Sequence, residues 1–154
     1  MACQGARFTK GRLCWRVMMA DLTKTRQKAY QRGVDAEDTA ALFLRSIGFD
    51  IIAQRAKMAG GEIDLVGEDA ETLVFVEVKA RDTLDEAVQA VTPRQQARIR
   101  AGLRAWLAAN DGDGVRLATK SVRCDVVVVA PGHDPLHIPN AFPAAQDGGC
   151  EGGF

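Results

Sequence analysis

Two apolar runs, Glu62–Gly67 and Leu73–Arg81, are separated by a short polar segment and interrupted by charged residues. Both runs are rich in Val, Ile, Leu and Phe, and the segment between them carries turn-forming residues, so they predict two neighbouring strands in a sheet core. A charge inside a buried strand is costly unless it is paired or bound to a metal. The interrupting residues Asp64, Glu77 and Lys79 therefore indicate where function is to be sought.

The other elements follow from periodicity, and the predicted order is αβββαβ, a mixed sheet flanked by two helices of the α/β class. A first helix is predicted from about Lys24 to Ile47, with a core-facing stripe and a Gly48 stop, and a first strand at Phe49–Lys57 in an edge position. Val122–Ala130 is predicted as a last strand buried on both faces. The segment from Pro131 onward is predicted to be irregular.

The second helix opens with a capping box, in which Thr92 is the N-cap, Pro93 is the first helical residue and Gln95 is the reciprocal partner. Its apolar stripe is predicted to contain Ile99, Leu103, Trp106 and Leu107, and its other side Arg94, Arg98, Arg100 and Arg104. Trp106 is interpreted as a core residue.

A chain of 154 residues has the length of one domain with a proper core. We expect a folded domain at residues 24–142, a poorly ordered basic arm at residues 1–23 and a flexible tail at residues 143–154. No apolar run approaches the roughly 18 residues that span a membrane. The four cysteines lack CxxC spacing, which favours reduced thiols and a cytoplasmic location.

The net charge is zero, but it is unevenly distributed along the chain. Residues 1–32 carry eight Lys or Arg and one acid, and the remainder carries twelve bases and nineteen acids. A basic arm of this kind can assist nucleic-acid binding. The alternatives are a solvated tail, or a natural chain start at Met18 or Met19.

An antiparallel hairpin with Gly67 opposite Val74 would place Asp64 opposite Glu77, and strand alternation puts Lys79 on the face of Glu77. The other face would hold Ile63, Leu65, Val76 and Val78. Two carboxylates near 4 Å repel by roughly 4 kcal/mol at an effective dielectric constant of about 20, and a divalent cation between them would relieve this repulsion. The alternative is a salt bridge of Lys79 on a solvated sheet face.

The sequences GEIDLV and FVEVKAR resemble the D…ExK signature of the restriction-endonuclease-like nucleases. From about Gly33 to Phe142 the chain is similar to the YraN-like bacterial family, whose fold is similar to that of archaeal Holliday-junction resolvases. The similarity rests on the RG…AE start of the first helix, GEIDL, VEVKAR, AVTPRQQ, CDVVVV and HIPNAF.

The resemblance implies a metal-dependent endonuclease acting on DNA, including branched or structured DNA, and a homodimer. Asp64, Glu77 and the main-chain carbonyl of Val78 would hold Mg²⁺ or Mn²⁺. Lys79 would orient or deprotonate the attacking water, and Glu37, an acid at the border of the first helix's apolar face, would complete the metal shell. The alternatives are a non-catalytic nucleic-acid- or partner-binding module of the same fold, and a nuclease acting on RNA.

Several basic and polar residues have two interpretations. Gln95 stands where many members of the resembled family carry a lysine, and it either contacts phosphate or water or serves the helix cap alone. Arg81, Arg94 and Arg98 either contact nucleic-acid phosphates or are merely solvated. The two histidines, His133 and His137, are expected to be loop residues without a role.

Overall fold

The computed structural model describes residues 27–28, 31–83, 91–110 and 119–145. The chain divides into two units, Met1–Val34 and Asp35–Phe154. In the first unit the described residues, 27–28 and 31–34, are helical. The second unit contains the sheet. The predicted arm at residues 1–23 lies outside the described residues.

Two helices and five strands make up the described structure. Helix α1 occupies residues 31–46, and it is followed by strands β1 (Asp50–Met58), β2 (Gly61–Glu68) and β3 (Thr72–Ala80). Helix α2 (Pro93–Ala109) leads to β4 (Ser121–Val129) and β5 (Leu136–Phe142). The predicted α/β class and the order from the first helix through β4 are confirmed.

The strands lie in one mixed sheet in the order β1-β2-β3-β4-β5. Strands β3 and β4 pair in parallel, and the other neighbouring strands pair antiparallel. A parallel pair needs a crossover connection, which here contains α2. The predicted edge position of β1 and the pairing of Gly67 with Val74 are both confirmed.

Each face of the sheet packs against one helix. On one face, Ala40, Ala41 and Leu44 of α1 meet strand residues that include Leu65, Val74, Val76 and Val127. Helix α1 ends where Gly48 adopts a positive φ of 101°, as predicted, but Ile47 is exposed and does not extend the core stripe.

Helix α2 covers the opposite face. Its residues Ile99, Leu103 and Trp106 pack among Ile63, Val66, Phe75 and Val128, and the Trp106 ring meets Phe75 edge to face at 5.6 Å. The predicted core role of Trp106 and the capping box of Thr92 with Gln95 are confirmed. Arg100, predicted on the side of α2 away from the core, is buried instead. Its guanidinium has a hydrogen-bond acceptor there, because Nη1 donates to the Pro143 carbonyl at 3.2 Å.

The segment after Pro131 is not irregular throughout, because Leu136–Phe142 forms the edge strand β5 beside β4. The segment was predicted to be irregular because of its Pro and Gly residues, among which Pro139 lies inside the strand. His137 therefore lies in a strand, whereas His133 is exposed in the turn before it. Of the predicted flexible tail, residues 143–145 are described, and Ala144 packs against the core.

The β1–β2 hairpin reverses its two faces once along its length. Ala53 and Ala56 both pack against the α2-side cluster, and so do their partners Val66 and Ile63, although residues three apart in a strand point to opposite faces. The reversal coincides with Arg55, whose φ is 49°, a left-handed conformation uncommon for a non-glycine residue.

The reversal overturns one part of the predicted alternation. Ile63 packs on the α2 side and Leu65 on the α1 side, so these two residues do not share a face as predicted. The reversal falls in the stretch that contains Asp64, so alternation alone does not decide where this carboxylate points.

In the described part of the chain, no helix has the length and apolarity needed to cross a membrane. Cys124 is a free thiol in the α2-side core, and burial raises its pKa to about 11. The other three cysteines, Cys3, Cys14 and Cys150, lie outside the described residues.

Candidate active site

Asp64 lies where β2 and β3 cease to pair. The paired residues run from Glu68 opposite Leu73 to Leu65 opposite Val76. Beyond this pair, a side chain replaces the main-chain pairing: Oδ2 of Asp64 accepts a hydrogen bond of 2.8 Å from the Val78 backbone N–H. This bond fixes the carboxylate at the β3 backbone, beside Glu77 in sequence.

The Val78 backbone faces the same gap. A strand residue directs its N–H and its C=O toward the same neighbouring strand, so the Val78 carbonyl also points to the β2 side of β3. The direction of the β3 backbone is therefore compatible with the prediction that the Asp64 carboxylate and the Val78 carbonyl bind the same metal ion.

Glu77 is almost completely buried, with 4% of its surface exposed, and it has two basic partners. Lys79 Nζ lies 2.6 Å from Oε1, as expected for residues two apart on one strand face. Arg98 of α2 contributes the second cation, its Nη2 lying 3.4 Å from Oε1 and 3.5 Å from Oε2. The buried charge of Glu77 is thus compensated within the protein.

Glu37 is half-buried on α1 and bonds to Arg55 of β1, whose Nε lies 2.5 Å from Oε2. This arginine occupies the left-handed position at which the hairpin reverses its faces. Non-glycine residues are held in such conformations only where the surroundings impose them, and these positions cluster at functional sites. The sequence analysis did not single out Arg55, since nothing in its sequence context predicts a positive φ.

Asp64 differs from the other two acids in having no cation of its own. Within residues 31–83, 91–110 and 119–145 its side chain is bonded to the Val78 N–H and to no Lys, Arg or His. Burial, followed by the charge of Glu77, raises its pKa from 3.8 to about 7, and Glu37 adds to the effect. The Val78 hydrogen bond and Lys79 oppose the rise without cancelling it. Asp64 is therefore the carboxylate that a cation would stabilise most.

The remaining predicted residues differ in their relation to this cluster. Gln95 Oε1 accepts from the Thr92 N–H at 2.9 Å, so the capping role is confirmed and a phosphate or water contact stays a prediction. Arg81 Nη1 donates to its neighbour's carbonyl, that of Ala80. Arg94 is exposed in the first turn of α2. Arg98 alone of the three arginines contacts a predicted metal ligand.

A second charged cluster on the α1 side of the sheet was missed. Asp125 is fully buried on β4 and accepts from Arg123 at 2.8 and 2.9 Å, from the Asn140 N–H at 2.8 Å, and lies 2.8 Å from His137 Nε2. Burial alone would raise the pKa of Asp125, but the bonds from His137 and Arg123 outweigh it and lower the pKa. The sequence did contain a signal for this cluster, because Asp125 is an acid within the otherwise apolar run of β4.

The first cluster consists of the acids Asp64, Glu77 and Glu37 with their partners Lys79, Arg98 and Arg55, and its oxygen donors suit a hard divalent cation. Carboxylate and carbonyl oxygens are the ligands that Mg²⁺ prefers, together with several waters. In the described residues no three His, Cys, Asp or Glu side chains form a ready-made metal-binding group. This agrees with the ion pairs above, because Glu77 and Glu37 are each turned toward a basic side chain.

The comparisons with known proteins give one consistent family. The model of the uncharacterised protein family UPF0102 matches residues 36–129, a range that contains every carboxylate of the first cluster. A UPF0102 protein of Rhodopseudomonas palustris (strain HaA2) is 48% identical over 120 residues, which cover 78% of this chain and 91% of the relative. One from Methylorubrum extorquens (strain PA1) is 44% identical over 123 residues, which cover 80% of this chain and 93% of the relative. The chain therefore belongs to the uncharacterised protein family UPF0102, the YraN-like group that its motifs predicted.

Proposed function

We propose that the chain is a Mg²⁺- or Mn²⁺-dependent endonuclease that hydrolyses phosphodiester bonds of DNA. The observation that carries the proposal is Asp64, a largely buried carboxylate without a cation beside a second acid and a lysine. A protein that needed this region only for its fold would gain from replacing Asp64 by a neutral residue, because its ionisation is unfavourable. The presence of an acid at this position supports a cation-dependent role.

The proposed roles are those that the resemblance implies, and the positions of the residues are compatible with them. Asp64 and Glu77, with the Val78 carbonyl, would hold the divalent ion, and Glu37 would contribute directly or through water. When bound, the ion would supply polarisation of the scissile phosphodiester, a lower pKa for attacking water and stabilisation of the leaving oxygen. Lys79 would place its ammonium beside the same phosphate and orient the attacking water.

The choice of DNA as the nucleic acid rests on the resemblance of the motifs to those of the resolvase-like nucleases. A binding module without catalysis is the second candidate, and one observation favours it. Lys79 and Arg98 already neutralise Glu77, and an acid neutralised in this way is not free to ligate a cation. An activity assay separates the two candidates.

We expect the purified protein to cleave at least one member of a panel of linear, flapped, four-way-junction and single-stranded DNA in Mg²⁺ or Mn²⁺. Glu77→Ala and Lys79→Ala should reduce the rate at least about a hundredfold, since each removes a group from the reacting centre. Labelled RNA belongs in the same panel, because cleavage of RNA alone would replace the DNA assignment.

The controls decide what each result means. Asp38→Asn removes an exposed acid of α1 and should leave the rate unchanged. Cleavage that persists in both Glu77→Ala and Lys79→Ala would indicate a contaminating nuclease. If no substrate is cut but DNA is bound, the binding module replaces the enzyme.

A further inference from the structure

Arg98 reaches the buried acid Glu77 from the opposite element of the fold. It lies in the second turn of α2, 21 residues from Glu77 in sequence, and its side chain is 46% exposed whereas that of Glu77 is 5% exposed. Among the described residues, Glu77 is the acid with which Arg98 forms an ion pair. One end of this pair is therefore fixed in the protein and the other extends to solvent.

The Arg98 side chain passes close to Gly61 at the β1–β2 turn, where the absence of a Cβ leaves room for it. Gly61 has a φ of 133°, and a Cβ added there would lie 2.9 Å from Cγ and 3.2 Å from Cδ of Arg98. Any side chain at this position would push the arginine stem away from its present course. The helix itself is held close to the hairpin, because an added Cβ on Gly60 would lie 2.6 Å from that of Ala101.

The contact between Arg98 and Glu77 is long, which would allow the guanidinium to leave the carboxylate for another anion. Its two Nη2–carboxylate distances are 3.4 and 3.5 Å, against 2.6 Å for Lys79 on the same carboxylate. When Arg98 leaves, the buried Glu77 still has Lys79 at 2.6 Å, so the loss of the longer contact does not leave its charge unpaired. A guanidinium binds phosphate oxygens in a geometry that suits its fork of donors, and it cannot lose its charge.

The position of this cation has a consequence for metal binding. A guanidinium about 3.5 Å from Glu77 repels any divalent ion that approaches the same carboxylate, and it occupies the oxygens that the ion needs. A phosphate arriving at the site would attract Arg98 away from Glu77 and free its Oε2, while Lys79 stays at Oε1. The two ligands would then favour each other's binding.

We propose that Arg98 couples the two ligands of this site: it holds Glu77 when no substrate is bound, and it transfers to a nucleic-acid phosphate when the divalent ion binds. The inference rests on the proposed function, because it takes Glu77 as a metal ligand. It adds that the site is self-restrained, so that tight metal binding requires substrate.

The test is a calorimetric titration of Mg²⁺ or Mn²⁺ into the substrate-free protein. We expect Arg98→Gln to bind the ion roughly five- to tenfold more tightly than the wild type, since a repelling charge has been removed. Arg98→Lys keeps the charge and should stay closer to the wild type than Arg98→Gln does. Arg104→Gln, an equal charge loss six residues or about 9 Å further along α2, should change affinity less than about twofold.

A second titration includes a DNA duplex of about 20 base pairs, checked afterwards for integrity. The duplex should increase the metal affinity of the wild type more than that of Arg98→Gln, because the variant has no restraint to release. Equal substrate-free affinities for wild type and Arg98→Gln, with both folded by thermal melting, would overturn the inference and leave the metal site standing. Failure of the ion to bind either protein even with the duplex present would instead overturn the proposed function.

Discussion

At the scale of single residues, Asp64 should make stability depend on pH in the absence of metal. Its pKa is about 7 in the folded protein and 3.8 ordinarily, so between these values the folded state holds a proton that the unfolded state has lost. Stability therefore falls as pH rises through this window, by up to about 1.4 kcal/mol for each pH unit.

Asp64→Asn removes this titration and preserves an acceptor for the Val78 N–H. In chelator, the variant should be more stable than the wild type at about pH 8 and should lose most of that advantage at about pH 5. Urea unfolding at both pH values measures the difference. An advantage of equal size at the two pH values would show that ionisation of Asp64 is not its cause.

The residues that sequence could and could not assign differ in what fixes them. Asp64, Glu77 and Lys79 stand out because charges interrupt apolar strands, a purely local signal. The partnership of Arg98 with Glu77 spans 21 residues and depends on the glycines that bring α2 close to the hairpin. The contact of Arg55 with Glu37 depends on a left-handed backbone that no residue type there requires.

At the scale of elements, alternation and capping predicted most of the sheet and the start of α2. The register of Gly67 with Val74 follows from the turn between the strands, and the Thr92–Gln95 box follows from residue spacing. Strand β5 was missed because Pro139 and Asn140 interrupt its pattern. It is nevertheless held as a strand because Asp125 of β4 receives the Asn140 N–H and contacts His137, a constraint from outside the segment.

The close approach of α2 to the β1–β2 turn gives a prediction at this scale. In Gly60→Ala the new methyl group would lie 2.6 Å from the Ala101 Cβ and 2.7 Å from its carbonyl carbon, so the hairpin and helix must separate. We expect a loss of about 1–3 kcal/mol in the free energy of unfolding. Chemical denaturation measures it.

Gly33→Ala provides the matched control, because an added Cβ there meets nothing within 4 Å. In a helix this change should be neutral or stabilising by up to about 1 kcal/mol. If the two alanine variants have the same stability, the tight packing of hairpin on helix is not the reason for glycine at residue 60.

At the scale of the whole molecule, two helices on opposite faces leave the sheet with two separate cores. Asp125 matters to this arrangement because it joins β4 to β5 within the sheet from a fully buried position. Asp125→Ala would leave Arg123 and His137 without their common partner, and we expect a loss of about 3–5 kcal/mol. Asp50→Ala, at an exposed acid of β1, should change stability by less than about 0.5 kcal/mol.

The Asp125 prediction is checked by urea unfolding near neutral pH, where the low pKa keeps this carboxylate ionised. Because that pKa is lowered on folding, the stabilisation is present above 3.8 and disappears as pH falls through the folded-state value. A small loss at neutral pH, comparable to that of Asp50→Ala, would mean that the buried cluster is not a major source of stability.

Both borders of the sheet carry features that hinder the addition of further strands. Strand β1 has an irregular register between Ile51 and Ala53 and the left-handed residue Arg55, and β5 contains Pro139 beside the left-handed Asn140. A proline without an N–H, and a border that bends out of plane, are poor templates for main-chain pairing with another molecule. These features disfavour main-chain pairing of a second copy along β1 or β5, and with it the extension of this sheet from one molecule into the next.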